Sequence, residues 1–322
     1  MFKAGFENKK IEFVGLNDLG DAANLAYLLQ YDSVYGIWNH KISAKPGFII
    51  VDGLKIPVFS EKDPSSLPWS ALKVDVVVES TGRFTDSTGL QKHLDAGAKK
   101  VVLSAPSQSA EIQTIVRGVN DNQIKGLSLL SNASCTTNCV APVTSVLDDV
   151  FGVVKAGLTT VHSYTADQSL VDGPHKDFRR GRSAALNIVP TTTGAAIAVT
   201  RTIPSLVEKF DGISIRVPVP SGSLADVTFL TQKKTTVAEV NAALIRASKE
   251  SRWKGILQCS NQPLVSQDIV GNSASCIIDL SFTQVIDGDF VKILAWYDNE
   301  LGYSRRLIEV VELLAGKAAR KK

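Results

Sequence analysis

Cysteine is scarce in this sequence, with four residues in 322. So few cysteines exclude a disulfide framework and predict reduced thiols, as in a cytoplasmic protein. Residues Met1 to Lys10 contain no apolar run of the kind found in secretory signals, which agrees with that location. An excess of one charge sign is also missing, because 35 basic and 32 acidic side chains leave a net charge of only +3. We therefore expect neither a nucleic acid nor a membrane as partner.

A membrane-spanning segment is lacking as well. The segment from Gly126 to Leu147 has no charged residue and is long enough to cross a bilayer. Nine of its residues are Ser, Thr or Asn, and Pro142 interrupts it. This composition predicts a buried strand, a turn and then a helix in place of a membrane span.

The first half of the chain alternates predicted strands and helices. The predicted strands are Lys10–Asp18, Val74–Glu79 and Lys100–Ser104, and the predicted helices are Asp21–Gln30 and Gly89–Ala96. This alternation is typical of parallel strands joined by crossover helices. We therefore predict an α/β fold with a doubly wound, Rossmann-like parallel sheet, into which a β-rich segment from Trp38 to Ser60 is inserted.

The second half has long strand-like segments with hairpin spacing. The predicted strands are Ala156–Tyr164, Gly212–Val219, Ala225–Gln232, Cys276–Ile286 and Phe290–Trp296, and the predicted helices are Thr236–Glu250 and Tyr303–Leu314. Such spacing predicts an α+β domain with a mixed, largely antiparallel sheet. The polar segment from Asp172 to Pro190 has no clear period and predicts a long functional loop.

Two of the four cysteines lie four residues apart in the run Ser131-Asn-Ala-Ser-Cys-Thr-Thr-Asn-Cys139. If a helix begins near Thr136, its amide groups and dipole favour an anion and lower the pKa of the Cys135 thiol. Cys139 would then point into the core. Other interpretations remain open, namely a metal pair, a redox pair or two small buried apolar residues. His162 would suit a base for Cys135, but its spacing alone favours a structural histidine.

The run from Ser131 to Cys139 resembles the signature of phosphorylating glyceraldehyde-3-phosphate dehydrogenases. The resemblance extends from about Lys10 to Leu314. Other similar stretches are Asn17-Asp-Leu, Glu79-Ser-Thr-Gly-Arg-Phe-Thr85, His162-Ser-Tyr-Thr165, Asp172-Gly-Pro-His-Lys-Asp177, Pro190-Thr-Thr-Thr-Gly-Ala-Ala196 and Trp296-Tyr-Asp-Asn-Glu300.

The resemblance implies that Cys135 attacks the aldehyde of glyceraldehyde 3-phosphate and that His162 takes up the proton. A hydride passes to NAD, and inorganic phosphate then releases 1,3-bisphosphoglycerate from a thioester. The implied site for the attacking phosphate contains Ser134, Thr136, Thr193 and Gly194. The implied site for the phosphate of the substrate contains Thr165 and Arg216, whose guanidinium suits phosphate oxygens.

The resemblance also implies a cofactor site and an assembly. NAD would contact Asp18, Ser80, Thr81, Ser104, Asn299 and Tyr303. A carboxylate at Asp18 favours NAD over NADP because it bonds the ribose hydroxyls and repels a 2′-phosphate. The implied domains are an NAD-binding domain over 1–134, with a helix over 300–322 packing back on it, and a catalytic domain over 135–299. A homotetramer and the absence of a metal are also implied.

The sequence departs from the family pattern at its beginning. Family members begin with a strand and a Gly-rich turn, whereas no G-x-G-x-x-G precedes Asp18 here. The chain as written thus resembles a family member that lacks this strand and turn, and we expect it to bind NAD poorly. The missing turn motivates one alternative, a non-catalytic binding protein derived from the family. A second alternative is a sister activity on another phosphorylated aldehyde, erythrose 4-phosphate.

Overall fold

The computed structural model describes residues 1–316 and divides into two units. The first unit contains Met1–Gln113, Ile124–Asn132 and 307–316, and the second contains Thr114–Gln123 and Ala133–Arg306. The domain limits predicted from the sequence, 1–134 and 135–299, stay a prediction. Residues 317–322 of the predicted C-terminal helix lie outside the described residues.

The regular elements of the first part of the chain are short. Its helices are α1 (Phe2–Gly5), α2 (Ala22–Gln30) and α3 (Ser87–Asp95). Its strands are β1 (Leu16–Asn17), β2 (Tyr31–Asp32), β3 (Gly36–Ile37), β4 (Ile42–Lys45), β5 (Phe48–Val51), β6 (Leu54–Phe59), β7 (Val76–Glu79), β8 (Lys100–Leu103), β9 (Gln113–Thr114) and β10 (Leu129–Ser131).

The parallel strands here lie in two four-stranded sheets, of order β1-β6-β5-β4 and β7-β8-β10-β9. Strand β1 pairs in parallel with β6, and β8 pairs in parallel with both β7 and β10. Helix α3 connects β7 to β8, and the Asp86 side chain caps its N-terminus by accepting a 2.7 Å bond from the Gly89 amide. The predicted α/β class with Rossmann-like parallel pairing is confirmed, as is the β-rich segment, which is β4 to β6.

Longer elements build the second part of the chain. Its helices are α4 (Cys135–Phe151), α5 (Ala195–Thr202), α6 (Val237–Ser248), α7 (Ser266–Ile269) and α8 (Leu301–Ala315). Its strands are β11 (Val153–Ser163), β12 (Val189–Thr192), β13 (Phe210–Val217), β14 (Ser223–Thr231), β15 (Leu257–Ser260), β16 (Cys276–Ile286) and β17 (Phe290–Tyr297).

These strands form one seven-stranded sheet of order β12-β13-β11-β14-β17-β16-β15. The pairs β11 with β13 and β15 with β16 are parallel, and the other neighbours run antiparallel. The predicted mixed, largely antiparallel sheet is therefore confirmed. Helix α4 packs its apolar side against this sheet, and Cys139, Val143 and Leu147 are fully buried in the shared core.

A sharp turn places the start of α4 directly after β10. Ala133 is fully buried and has a left-handed φ of 55°, a conformation that costs a non-glycine residue about 1–2 kcal/mol. Ser134 then caps the helix, because its hydroxyl accepts a 3.1 Å bond from the Thr137 amide. Cys135 is thus the first helical residue, one position earlier than predicted.

The predicted strand Lys10–Asp18 was wrong in length, since only Leu16 and Asn17 pair with another strand. A strand is defined by its ladder partner, and sequence alone does not show whether one is present. From Tyr164 to Ile188 the chain forms no helix or strand, as expected for the polar loop, but the predicted end of that loop at Pro190 was wrong because Val189 and Pro190 belong to β12. Over residues 1–316, no helix has the length and apolar character needed to cross a bilayer.

Helix α4 gives a direct test of the core. We expect Leu147→Ala to lower the free energy of unfolding by about 2–5 kcal/mol, because it opens a cavity beneath this helix. The control is Asp149→Ala on the exposed side, where the 3.3 Å ion pair with Arg252 contributes about 1 kcal/mol or less. Urea unfolding followed by circular dichroism measures both. Equal losses in the two variants would contradict this placement of the core.

Candidate active site

Cys135 and His162 lie side by side in the second unit. The Cys135 Sγ atom is 3.4 Å from His162 Nε2. Cys135 begins α4, and His162 is the second-last residue of β11. The structure therefore brings together the two residues that the sequence suggested as nucleophile and base, although 27 positions separate them.

The tautomer of His162 follows from its other contact. Its Nδ1 atom is 2.7 Å from the Ser163 carbonyl oxygen, which only accepts hydrogen bonds. Nδ1 must therefore carry the proton, so Nε2 presents its lone pair to the Cys135 thiol. Burial lowers the pKa of His162 from 6.5 to about 4, and the nearby charge of Arg216 adds to this effect. His162 is consequently neutral at physiological pH and ready to accept a proton.

The low pKa expected for the Cys135 thiol was wrong. Burial raises the pKa of the thiol, and hydrogen bonds involving Thr136 together with the charge of Arg216 offset only part of that rise. The amides at the helix start lower a thiol pKa, but the loss of solvent around the sulfur has the larger, opposite effect here. Cys135 is therefore a thiol that needs a base. Cys139 is fully buried, as predicted.

A hydroxyl network supports this pair from the core side. The Tyr297 hydroxyl lies 2.9 Å from Thr136 Oγ1 and 2.8 Å from Thr160 Oγ1. Tyr297 is buried, and its ring meets the His162 ring edge to face at 5.9 Å. The network joins the first turn of α4 to β11. It also means that the Thr136 side chain, expected to contact phosphate, turns toward Tyr297.

Arg216 stands next to His162 because β11 and β13 pair in parallel register at these two residues. Its Nη1 atom donates to Thr165 Oγ1 and, at 3.1 Å, to Gln168 Oε1. Asp167 lies between two arginines, 3.4 Å from Arg216 and 2.9 Å from Arg180. The predicted pair Thr165 and Arg216 is thus in contact and belongs to a larger cluster of charges.

The starts of two helices approach each other beside the nucleophile. Thr137 Oγ1 donates a 3.3 Å bond to the Ala195 carbonyl oxygen, which links the first turns of α4 and α5. Thr193 and Gly194 immediately precede α5, and Ser134 precedes α4. Free amides at helix starts attract anions. Ser134, Thr193 and Gly194 therefore lie at the starts of two helices that are in contact, and their expected role in binding phosphate stays a prediction.

Comparison with known proteins decides the family. The family model described as "Glyceraldehyde 3-phosphate dehydrogenase, C-terminal domain" matches residues 134–299, and its "NAD binding domain" matches residues 1–87. The chain belongs to the glyceraldehyde-3-phosphate dehydrogenase family. It is 50% identical to the glyceraldehyde-3-phosphate dehydrogenase of Geobacillus stearothermophilus, with 98% of this chain and 95% of that protein aligned. The protein of that name from Borreliella burgdorferi is 49% identical, with 98% and 95% aligned.

Two expected cofactor residues of the family, Asn299 and Tyr303, lie in the second unit. The Tyr303 hydroxyl donates a 3.1 Å bond to the Ala133 carbonyl oxygen, just before Ser134 and Cys135. Asn299 Oδ1 accepts bonds from the Gly222 amide at 3.3 Å and from Ser223 Oγ at 2.9 Å. Asn299 is mostly buried and its carboxamide is firmly oriented.

The other expected cofactor residues of this family member lie in the first unit, each at the carboxyl end of a parallel strand. Asp18 follows β1 and is exposed, Ser80 and Thr81 follow β7, and Ser104 follows β8. Dinucleotides bind at this end of such sheets. An exposed carboxylate after β1 suits ribose hydroxyls, so the residues present fit NAD, the cofactor of the family.

A buried carboxylate supports Thr81. Glu79 Oε1 accepts bonds from the Thr81 amide at 2.7 Å and from its hydroxyl at 2.5 Å. Glu79 Oε2 is 3.0 Å from His93 Nε2, and Trp69 donates to His93 Nδ1 at 3.1 Å. Burial raises the pKa of Glu79, but the bonds from His93 and Thr81 outweigh it, so the pKa lies below its ordinary value.

Several supporting residues were not predicted as part of the site, namely Glu79, His93, Asp167, Gln168, Arg180, Ser223 and Tyr297. Some signal was present, since Glu79 opens a family-like stretch and Arg180 belongs to the basic loop. For Tyr297 and Ser223, however, the partners are far away in the chain: Tyr297 and Thr136 are 161 positions apart.

The buried neutral state of His162 predicts a pH effect on stability. Between pH 6.5 and about 4, the unfolded chain binds a proton that the folded protein does not, so stability falls as pH falls through this range. Between pH 7 and 5 we expect wild type to lose about 2 kcal/mol more unfolding free energy than His162→Asn. Urea titrations at both pH values measure this difference. Identical pH dependence in the two proteins would refute the buried neutral state.

Proposed function

We propose that this chain oxidises glyceraldehyde 3-phosphate to 1,3-bisphosphoglycerate with NAD and inorganic phosphate. The observation that carries the proposal is the 3.4 Å contact between Cys135 Sγ and a His162 Nε2 atom whose lone pair faces the thiol. Family membership supplies the chemistry class, and the neighbouring Arg216 supports a phosphorylated aldehyde as substrate.

In the first step, His162 acts as a general base and the sulfur of Cys135 bonds to the aldehyde carbon. His162 passes the thiol proton to the aldehyde oxygen, which completes a hemithioacetal. The amide of Cys135, at the start of α4, stabilises negative charge on this oxygen as the bond forms. Thr165 and Arg216 hold the phosphate of the substrate and thereby orient the aldehyde.

In the second step, His162 takes back the hydroxyl proton as the carbon loses a hydride and becomes a thioester carbonyl. NAD, when bound, would supply the acceptor for that hydride. Asn299 and Tyr303, both in the second unit, would hold its nicotinamide end. A phosphate oxygen, bound near Ser134, Thr193 and Gly194, then attacks the thioester carbon. The carbon–sulfur bond breaks, and the Cys135 sulfur leaves as a thiolate that takes back the proton held by His162.

We also propose a homotetramer. The loop after β11 exposes large apolar side chains, and these are Leu170, Val171, Phe178, Leu186 and Ile188. Internal bonds hold the loop in shape, among them the 2.7 Å ion pair of Arg182 with Asp172. An ordered apolar surface of this kind supports contact with other subunits.

The cytoplasmic location expected from the cysteine content stays a prediction.

NADH formation from glyceraldehyde 3-phosphate, with and without inorganic phosphate, tests the proposed reaction. Wild type should turn over only with phosphate, and erythrose 4-phosphate should be a poorer substrate. Cys135→Ser should abolish turnover, because the hydroxyl is a much weaker nucleophile. Iodoacetate should label Cys135 faster than Cys259, because His162 Nε2 lies 3.4 Å from the Cys135 sulfur and can accept its proton, whereas burial raises the pKa of Cys259 to about 12. Phosphate-independent turnover, or full activity of Cys135→Ser, would refute the mechanism.

Asp18 provides a separate test of cofactor recognition. Asp18→Ala should weaken NAD binding about 10- to 100-fold, the range for loss of a charged hydrogen bond, and should reduce discrimination against NADP. Asp75→Ala is the matched control, because Asp75 precedes β7 at the opposite end of a parallel strand and pairs with Lys99. Calorimetric titration with each dinucleotide measures both effects. An unchanged preference in Asp18→Ala would remove Asp18 from the ribose site.

A further inference from the structure

A buried hydrogen-bonded bridge connects Asn299 with His162. The Ser223 hydroxyl lies at its centre, 2.9 Å from Asn299 Oδ1 and 3.1 Å from the Ser163 amide nitrogen. Ser163 in turn accepts the 2.7 Å bond from His162 Nδ1 through its carbonyl oxygen. Ser163 and Ser223 are almost completely buried. Their bonds are therefore shielded from competition with water.

Strand pairing creates this bridge. Ser223 is the first residue of β14 and lies opposite Tyr297 of β17, two positions before Asn299. On the other side, β14 pairs with β11, whose last residue is Ser163. The start of β14 therefore lies between the carboxyl ends of β11 and β17. The central position of β14 lets one hydroxyl reach both neighbours.

The chemistry of the donors fixes the orientation of each group. The Gly222 amide can only donate, so the Asn299 atom that faces it at 3.3 Å must be the carbonyl oxygen. The Ser223 hydroxyl donates its one proton to the same oxygen and accepts from the Ser163 amide. Gly222 is suited to this place, since its φ is +91° and a Cβ would lie 2.2 Å from the Ser266 carbonyl oxygen.

Two consequences follow for the site. Two donors occupy Asn299 Oδ1, so the NH₂ group is the other polar group of this side chain. It can donate to the carboxamide oxygen of a nicotinamide. On the other side, both backbone groups of Ser163 are engaged, its amide by Ser223 and its carbonyl by His162. The position of the imidazole and the orientation of the carboxamide therefore depend on the same hydroxyl.

We propose that Ser223 is a positioning residue that couples the cofactor-facing amide of Asn299 to the base His162. The inference rests on the proposed function, because it gives Asn299 and His162 their roles. Ser223 itself touches neither the thiol nor the substrate in this arrangement. Its contribution is to hold a hydrogen-bond donor and a proton acceptor in fixed relative positions.

A double-mutant cycle tests the link to Asn299. Calorimetry would measure NAD affinity in wild type, Ser223→Ala, Asn299→Ala and the double variant. We expect Ser223→Ala to weaken binding about 5- to 10-fold in wild type and less than about 2-fold when Asn299 is already alanine. Ser221→Ala is the control, because Ser221 is equally buried and bonds Asp298 in place of Asn299. It should leave NAD affinity unchanged.

A second measurement, made without NAD, tests the link to His162. Iodoacetate labelling of Cys135 should slow about threefold or more in Ser223→Ala, and its pH profile should shift, because His162 loses its fixed position. Ser221→Ala should label like wild type. Ser223→Thr retains the hydroxyl and should restore part of the rate. If Ser223→Ala folds poorly by circular dichroism, Ser223→Cys, which keeps the volume but donates weakly, should change NAD affinity and labelling in the same directions.

Additive losses of NAD affinity in the cycle, or wild-type labelling by both Ser223→Ala and Ser223→Cys, would overturn the coupling. Failure of the proposed function gives a different result, namely no NADH formation by wild type from glyceraldehyde 3-phosphate and phosphate. The two outcomes are therefore separable, since the binding cycle and the labelling need no turnover.

Discussion

The hydrogen bond from His162 Nδ1 to the Ser163 carbonyl is the contact on which the chemistry of this site depends. A neutral imidazole has one donor and one acceptor, so occupying the donor directs the acceptor at the Cys135 thiol. Burial keeps the imidazole neutral, which an exposed histidine would not be in mildly acidic solution. A thiol whose pKa is raised by burial is thereby matched with a base that is neutral at physiological pH.

The scaffold holds this contact by joining elements that are remote in sequence. The start of α4 brings the thiol, the end of β11 brings the imidazole, and Tyr297 on β17 bonds hydroxyl groups of both elements. The left-handed turn at Ala133 is strained, and the Tyr303 hydroxyl bonds its carbonyl. Local strain of this kind persists where the surrounding contacts determine the backbone, as the buried surroundings of Ala133 do.

Patterns in the sequence were sufficient for the fold class and for most elements of the large sheet. Strand β16 agrees with its predicted limits, Cys276–Ile286, because alternation and β-branched residues mark a strand locally.

The bridge through Ser223 was not predictable in this way, since a serine in a strand has the same local pattern whether or not its hydroxyl joins two distant residues. The pKa of Cys135 was predicted in the wrong direction for a related reason: the helix start is visible in sequence, whereas the packing that removes water from the sulfur is not. His162 was ambiguous by spacing and became a candidate base only through the family resemblance.

The parallel register that sets Arg216 beside His162 has an electrostatic consequence for the order of events. The positive charge of Arg216 contributes to the low pKa of His162 because it opposes a second positive charge nearby. An anion bound to the Arg216 guanidinium offsets part of this electrostatic repulsion. It thereby makes the His162 imidazole a stronger proton acceptor. A phosphorylated aldehyde would therefore increase the basicity of His162, which activates Cys135 for attack on that same aldehyde. An aldehyde without phosphate would meet a weaker base. Selectivity for a charged substrate would then arise in the proton-transfer step as well as in binding.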